Sequence, residues 1–348
     1  MEFTWKKKRL NFKTPSGTSR GVLRHKDSWI IQLKHRGKVG VGECSLIEGL
    51  SPESPSLVEG FLEEIPLHLA KGEEFLYQKY AESPAMQFAI EMAFSGIRSS
   101  HPLLHFDTAF VSQKELLSIN GLIWMSSVES MFAQLDEKIN LGFRCIKIKV
   151  GAIDFASECS LLNAIRKRYH KNDIEIRLDA NGAFEPQNAL KVLSKLSEYH
   201  IHSIEQPIAT RNWIAMKKLC ENTPIPIALD EELIGLTSDD IKHEMLSLIQ
   251  PQYIILKPSL IGGWRGADQW INQAEKHSIG WWATSALESN IGLNAIAQWV
   301  STKKTSMHQG LGTGELFTNN IDSPLYLEGH YMGFDQNKLS KFNVNVCL

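Results

Sequence analysis

Two lysines set two residues apart, Lys147 and Lys149, open a series of charged side chains that continues with Asp179, Glu205, Asp230 and Lys257. From Lys149 onward the steps are 30, 26, 25 and 27 residues. Each charged group closes a short apolar run: RCIKIKV, IEIRLDAN, IHSIEQP, IPIALDE and YIILKP. A strand's period of two puts Lys147 and Lys149 on one face. There, mutual repulsion and desolvation lower a lysine pKa toward neutrality, and such a lysine can serve as a general base. Taken alone, a KxK pair is more often solvated, and a single acid after a strand is often a helix N-cap. Three acids in consecutive units do not read that way. Unpaired, they would repel one another without a cation, and oxygen ligands with no His or Cys favour Mg²⁺ over zinc. A divalent ion that holds a substrate carboxylate, with a lysine on either side, suits removal of the proton next to that carboxylate.

The elements that must position these residues follow from the same rhythm. From about Leu117 the chain alternates strictly between strand-like and helical segments. The strand candidates are SINGLIW, RCIKIKV, EIRLDAN, HSIEQP, IPIALD, YIILKP, IGWWATS and MHQGLG. Helices are predicted over Ser127–Leu141, ending near Gly142, and over Asp154–Tyr169, with Asp154 as N-cap. Such alternation argues for a parallel sheet, and eight strands argue for its closure into a barrel. A barrel brings its strand ends to one face, where Lys257 would lie across the axis from Lys149. Up to about residue 110 the texture is α+β instead. Residues 2–12, 20–25, 28–34 and Lys38–Glu43 read as strands, and Ser54-Pro55 and Ser83-Pro84 each open a helix. The final stretch loses the alternation. The expected organisation is a cap of residues 1–110, completed by about 322–348, around a barrel of 111–321. Trp281-Trp282 reads as packing between barrel and helices.

The chain has 348 residues, 43% of them hydrophobic, which allows a full core. Its net charge is −2, from 37 basic and 39 acidic residues, with no basic stripe that would suit nucleic acid. No apolar stretch approaches the roughly 18 residues of a membrane span. The basic start MEFTWKKKRL lacks the apolar segment of a signal peptide. Five cysteines, Cys44, Cys145, Cys159, Cys220 and Cys347, include no CxxC pair. Neither a disulfide framework nor a zinc site is expected, and the cytoplasm is the expected compartment. The expected partner is a small-molecule carboxylate; oligomeric state is left open.

In order and spacing, the KIKVG, RLDANGAF, IEQP, ALDEEL and LKPSLIGG segments resemble the enolase superfamily over nearly the whole chain. The match is to its muconate-lactonizing-enzyme-like subgroup, with lysines at the ends of strands two and six. The resemblance implies a modified (β/α)7β TIM-type barrel with an α+β capping domain. It implies Lys149 as the base, Lys147 as an electrostatic helper and Lys257 as the opposing lysine. Asp179, Glu205 and Asp230 are the implied Mg²⁺ ligands.

Within the superfamily, Arg177 to Asn181, Lys257 to Leu260, Thr284 to Ser289 with Gly292-Leu293, and Gly310 to Gly314 resemble the o-succinylbenzoate synthases. That likeness implies dehydration of 2-succinyl-6-hydroxy-2,4-cyclohexadiene-1-carboxylate to 2-succinylbenzoate in menaquinone biosynthesis. It points to Ser285, Ala286, Leu287, Gly312, Thr313 and Arg20 as substrate contacts, with Arg177, Asn181 and Glu288 supporting the site. Ser19-Arg20-Gly21 and Gly42-Glu43 would lie in cap loops that close over the barrel. The dipeptide epimerases of the subgroup carry an Asp-x-Asp at the last strand, where this chain has GLGTGEL. Strand seven, IGWWATSAL, lacks the His of mandelate-racemase-like members. The alternative activity is N-acylamino acid racemisation on the same scaffold.

Overall fold

The computed structural model describes residues 1–18, 21–124, 126–151 and 154–343. The chain opens with an antiparallel sheet of three strands, β1 (Glu2–Thr18), β2 (Gly21–His35) and β3 (Lys38–Ser45), in that order. β1 and β2 are longer than the pattern predicts. A register shift between Asn11 and Ser16 lets β1 continue to Thr18, and 21–25 and 28–34 belong to one strand. Three helices follow: α1 (Pro55–His68), α2 (Gly72–Lys79) and α3 (Pro84–Arg98). Ser54 caps α1 by accepting from the Leu57 N–H, with Pro55 in the first turn, where its missing N–H is not needed.

The helix α3 packs on the sheet with almost every residue buried, because it also faces the barrel. Its small residues allow the fit. A Cβ placed on Gly42 would lie 2.0 Å from the Ala89 carbonyl oxygen, and one on Gly40 1.8 Å from that of Ala93.

After β4 (Leu117–Ser118) the alternation runs as the sequence predicts. The elements are β5 (Gly121–Ile123), α4 (Val128–Asn140), β6 (Cys145–Lys149), α5 (Phe155–Arg168), β7 (Glu175–Asp179), α6 (Pro186–Leu196), β8 (Ser203–Glu205) and α7 (Trp213–Asn222). They continue with β9 (Ile227–Leu229), α8 (Asp239–Ile249), β10 (Tyr253–Leu256), α9 (Pro258–Ile261), α10 (Gly263–Lys276), β11 (Gly280–Ala283) and α11 (Asn290–Ser301). Asp154 caps α5 through the N–H groups of Ala156 and Ser157.

Strands β5 to β11 form one parallel sheet in sequence order. The eighth candidate, MHQGLG, is reduced to two bridging residues. Gln309 pairs with Ile119 beside β5 and Gly310 with Thr284 beyond β11, which joins the two sheet edges. Ile146, Ile148, Ile176, Leu178 and Ile204 face the surrounding helices in one continuous apolar core.

The segment expected to complete the cap, about 322–348, contributes two strands, β12 (Leu325–Glu328) and β13 (Tyr331–Phe334). β12 pairs with β13, and β13 pairs with β4, which precedes the barrel strands. The late chain reaches the cap through residues 316–319, which hydrogen-bond to Asn11 and Lys13 of β1. Among the described residues, no helix is long and apolar enough to cross a membrane.

Gly42→Ala has no room between β3 and α3 and is expected to lose about 1–3 kcal/mol by overpacking. Gly60 is exposed in α1 with nothing within 4 Å of an added Cβ. Gly60→Ala should therefore gain about 0.5–1 kcal/mol. Urea unfolding midpoints that move the same way in both variants would contradict this packing.

Candidate active site

Parallel pairing puts Lys149 beside Asp179 and Asp179 beside Glu205, all at the C-terminal ends of their strands. Asp230 follows β9 directly and Lys257 follows β10 directly. The barrel therefore collects at one mouth the charges that the sequence spaces evenly. Lys147 Nζ lies 2.7 Å from Asp179 Oδ2 and 2.5 Å from Glu205 Oε2. Lys149 Nζ donates to the same Asp179 oxygen at 2.7 Å and to Asn181 Oδ1 at 2.6 Å. Lys257 is hydrogen-bonded to Asp230. Asn181 holds a positive φ of 44° and donates its amide to Glu231 at 2.8 Å, which fixes the oxygen that Lys149 meets.

The carboxylates change the electrostatics that the lysine pair alone suggests. Burial works against the Lys147 ammonium, but Asp179, Glu205 and Asp230 outweigh it and raise its pKa. At Lys257, burial is again overcome, here by Asp230 first, and the pKa is raised. The lowering toward neutrality expected of the lysine pair is thus corrected for Lys147. Repulsion between lysines is the lesser force where a carboxylate bridges them. Asp179 is held well below the usual carboxylate range; burial opposes this, and Lys147 and Lys149 prevail. Glu205 is pushed up by burial and then by Asp179 and Asp230.

A divalent cation fits this donor set. Asp179, Glu205 and Asp230 are each at most 2% exposed, and they come from three consecutive strand ends. Glu205 Oε1 is buried without a hydrogen-bond partner. Among the described residues no three Asp, Glu, His or Cys side chains already converge in ligand geometry. Lys147 lies between Asp179 and Glu205 and supplies the compensating charge.

Above the charges is a cavity of about 480 Å³. Lys147, Lys149, Lys257 and Asn181 line it, together with Ser285, Ala286, Leu287, Gly312 and Thr313 from the last strand ends. The cap closes the other side with Val22, Leu23, Ile47 and Leu50. Arg20 lies outside the described residues.

One of the supporting residues does other work. Arg177, one layer below Asp179, turns to Glu175 at 2.7 Å and the His308 carbonyl at 2.9 Å, and stacks on Trp282. It does not touch the carboxylates. Glu288 is fully buried and accepts from Ser259 Oγ at 2.5 Å and Ser285 Oγ at 2.6 Å, bracing the turn after β11. Gly42-Glu43 is not a loop. It lies inside β3, and Glu43 accepts from the N–H groups of Ser289 and Gly292 at the start of α11. Sequence reasoning missed Trp124, which lines the cavity from the end of SINGLIW and could have been found as a strand end, and Asn120, which lines it from just before β5. It also missed Lys26 of β2, which no local pattern singles out.

Comparison with known proteins agrees with this fold. Residues 130–332 match the family described as "Enolase C-terminal domain-like". The o-succinylbenzoate synthase of Desulfotalea psychrophila is 43% identical, over 96% of this chain and 99% of that protein. The chain belongs to the o-succinylbenzoate synthase family of the enolase superfamily. The crystal structure of MenC from D. psychrophila superposes with a TM-score of 0.86 at 39% identity, covering 96% of this chain and 99% of that one. Members of this family are hydro-lyases with a small-molecule carboxylate as substrate. A substrate-liganded L-Ala-D/L-Glu epimerase from Bacillus subtilis, 21% identical, shares the fold with a TM-score of 0.82 over 96% of each chain. A dipeptide epimerase from Enterococcus faecalis, complexed with Mg and a dipeptide, does so at 0.80 and 22% identity over 95% of this chain and 96% of that one. These epimerases share the fold of this chain.

Glu288→Leu would leave the Ser259 and Ser285 hydroxyls buried without their acceptor. It is expected to cost about 3 kcal/mol. Thermal or chemical unfolding within 0.5 kcal/mol of the parent (roughly the scatter of a neutral surface change) would show that Glu288 does not brace this turn.

Proposed function

We propose that the protein dehydrates 2-succinyl-6-hydroxy-2,4-cyclohexadiene-1-carboxylate to 2-succinylbenzoate, the o-succinylbenzoate synthase step of menaquinone biosynthesis, with Mg²⁺ as cofactor. The observation that carries this is the convergence of Lys149 and Lys257 on one cavity from β6 and β10, above three buried carboxylates. Asp179, Glu205 and Asp230 would hold the Mg²⁺. When bound, the ion stabilises negative charge that develops on the substrate carboxylate as the α-proton leaves.

Lys149 is the base. Asp179 and Asn181 orient its amine toward the cavity, and it must be neutral when it takes the proton. The C–H pair becomes the new ring double bond, the C–OH bond breaks, and Lys149 returns the proton so that water departs. Lys257, across the barrel, places positive charge over the ring, where electron density spreads. Lys147 balances the carboxylates beneath. Aromatisation drives the elimination downhill, so the apolar cap residues need little beyond shape and exclusion of water. Gly310, Gly312 and Thr313 offer no carboxylate for a substrate amine, which speaks against a dipeptide. Cys44, Cys145, Cys159 and Cys220 are free thiols, in keeping with the cytoplasm.

Purified protein should aromatise the cyclohexadiene precursor with Mg²⁺ and stop when a chelator is added. If the precursor is untouched while N-acylamino acids racemise, the racemase takes its place. Lys149→Ala should lower kcat by about 10²–10⁴-fold, the usual contribution of a general base. Circular dichroism should show the fold unchanged, and wild-type kcat in that variant would remove Lys149 from the role.

A further inference from the structure

Lys26 is a lysine that the reaction does not use. It lies in the middle of β2, far from the ladder in sequence, and is 6% exposed. A buried ammonium must be fully engaged. Its Nζ donates to the carbonyl of Ala286 at 2.6 Å and that of Leu287 at 2.9 Å. Burial lowers its pKa, and the nearby Glu288 and Glu43 carboxylates offset this only in part. Both carbonyls belong to residues that line the barrel cavity. Leu287 sits at φ 60°, a left-handed conformation that a leucine seldom adopts unless its surroundings enforce it. One restraint is the Ser285 hydroxyl, which accepts from the Leu287 N–H at 2.9 Å. The other is Lys26, from the opposite domain.

A second cavity of about 480 Å³ lies in the cap, and Lys26 lines it. Leu23, Ile47, Glu48 and Gly49 line both cavities. Lys26 is therefore placed where the cap cavity, the cap loop and the barrel wall meet.

We propose that Lys26 is a positioning residue for substrate recognition: by holding the Ala286 and Leu287 carbonyls, it lets the cap set the wall of the barrel's cavity. This rests on that cavity being the substrate site. It assigns to the cap a specificity element that touches no substrate atom. Loss of the ammonium frees the turn to relax, and the cavity loses its fit to the ring and its side arm. The lysines and carboxylates below keep their own contacts, so the chemical step is little changed.

Lys26→Met removes the donors and keeps most of the stem. KM for the cyclohexadiene substrate should rise about tenfold while kcat stays within about threefold, the signature of lost uniform binding. Lys26→Arg, which still donates to two carbonyls, should restore much of the KM. Glu91→Gln serves as comparison, since Glu91 joins cap to barrel elsewhere, accepting from the Trp264 and Arg265 N–H groups at the start of α10. It should lower the melting temperature and leave KM alone. A Lys26→Met enzyme that melts early but keeps the wild-type KM overturns the proposal. If Lys26→Met does not fold, Lys26→Gln is read the same way, and an unchanged KM there is equally decisive. Failure of the proposed function would appear in the wild-type protein, as no turnover of this substrate. Failure of the inference appears as a variant-to-wild-type KM ratio near one on whichever carboxylate the wild type turns over.

Discussion

Three carboxylates buried at one barrel mouth need positive charge, and the rest of the site is arranged around that need. At an effective dielectric constant near 20, two unit charges about 4 Å apart repel by roughly 4 kcal/mol. Asp179, Glu205 and Asp230 are almost completely withdrawn from water, so solvent cannot absorb this cost. Lys147 bridges two of them and Lys257 meets the third. The same need makes the place suited to a divalent ion. An ion held by these carboxylates would leave Lys147 and Lys257 less tightly claimed.

Charge matching also decides how the cap meets the barrel. Helix N-termini leave N–H groups without partners, and they favour an anion. Glu43 of β3 takes the N–H groups of Ser289 and Gly292 around the start of α11, and Glu91 of α3 takes those of Trp264 and Arg265 in α10. Carbonyls at a strand end favour a cation, and Lys26 supplies it to Ala286 and Leu287. The Glu43, Glu91 and Lys26 side chains are themselves buried, so each contact is exacting in position. Close approach of β3 to α3 through Gly40 and Gly42 brings these groups into reach. The cap is then one wall of the cavity at the barrel mouth.

Much of this was legible in the chain. Lys147, Lys149, Asp179, Glu205, Asp230 and Lys257 stood out because a βα unit has a nearly constant length and each strand end delivers one residue. The cavity residues Ser285, Ala286, Leu287, Gly312 and Thr313 were legible through family likeness in the same segments. Other features were not. Arg177 has the alternation of an inward residue, but its layer in the barrel sends it to Glu175 and His308, and the one-dimensional pattern carries no depth. Gly42-Glu43 looked like a turn because glycines punctuate turns; here they serve close packing within a strand. The pKa of Lys147 was misjudged because the neighbouring lysine is visible in the sequence and the bridging carboxylates are 32 and 58 residues away.

By itself, the sequence determined the alternation of strands and helices, the inward face of each strand and the identity of the charged groups at the strand ends. These are local properties, set by side-chain period and by the length of a repeating unit. Tertiary structure alone decided which charges neutralise one another, which carbonyls Lys26 grips across 260 residues, and how the cap closes the cavity. Those outcomes depend on distances of a few ångströms between distant segments, and only the closed barrel with its docked cap defines them.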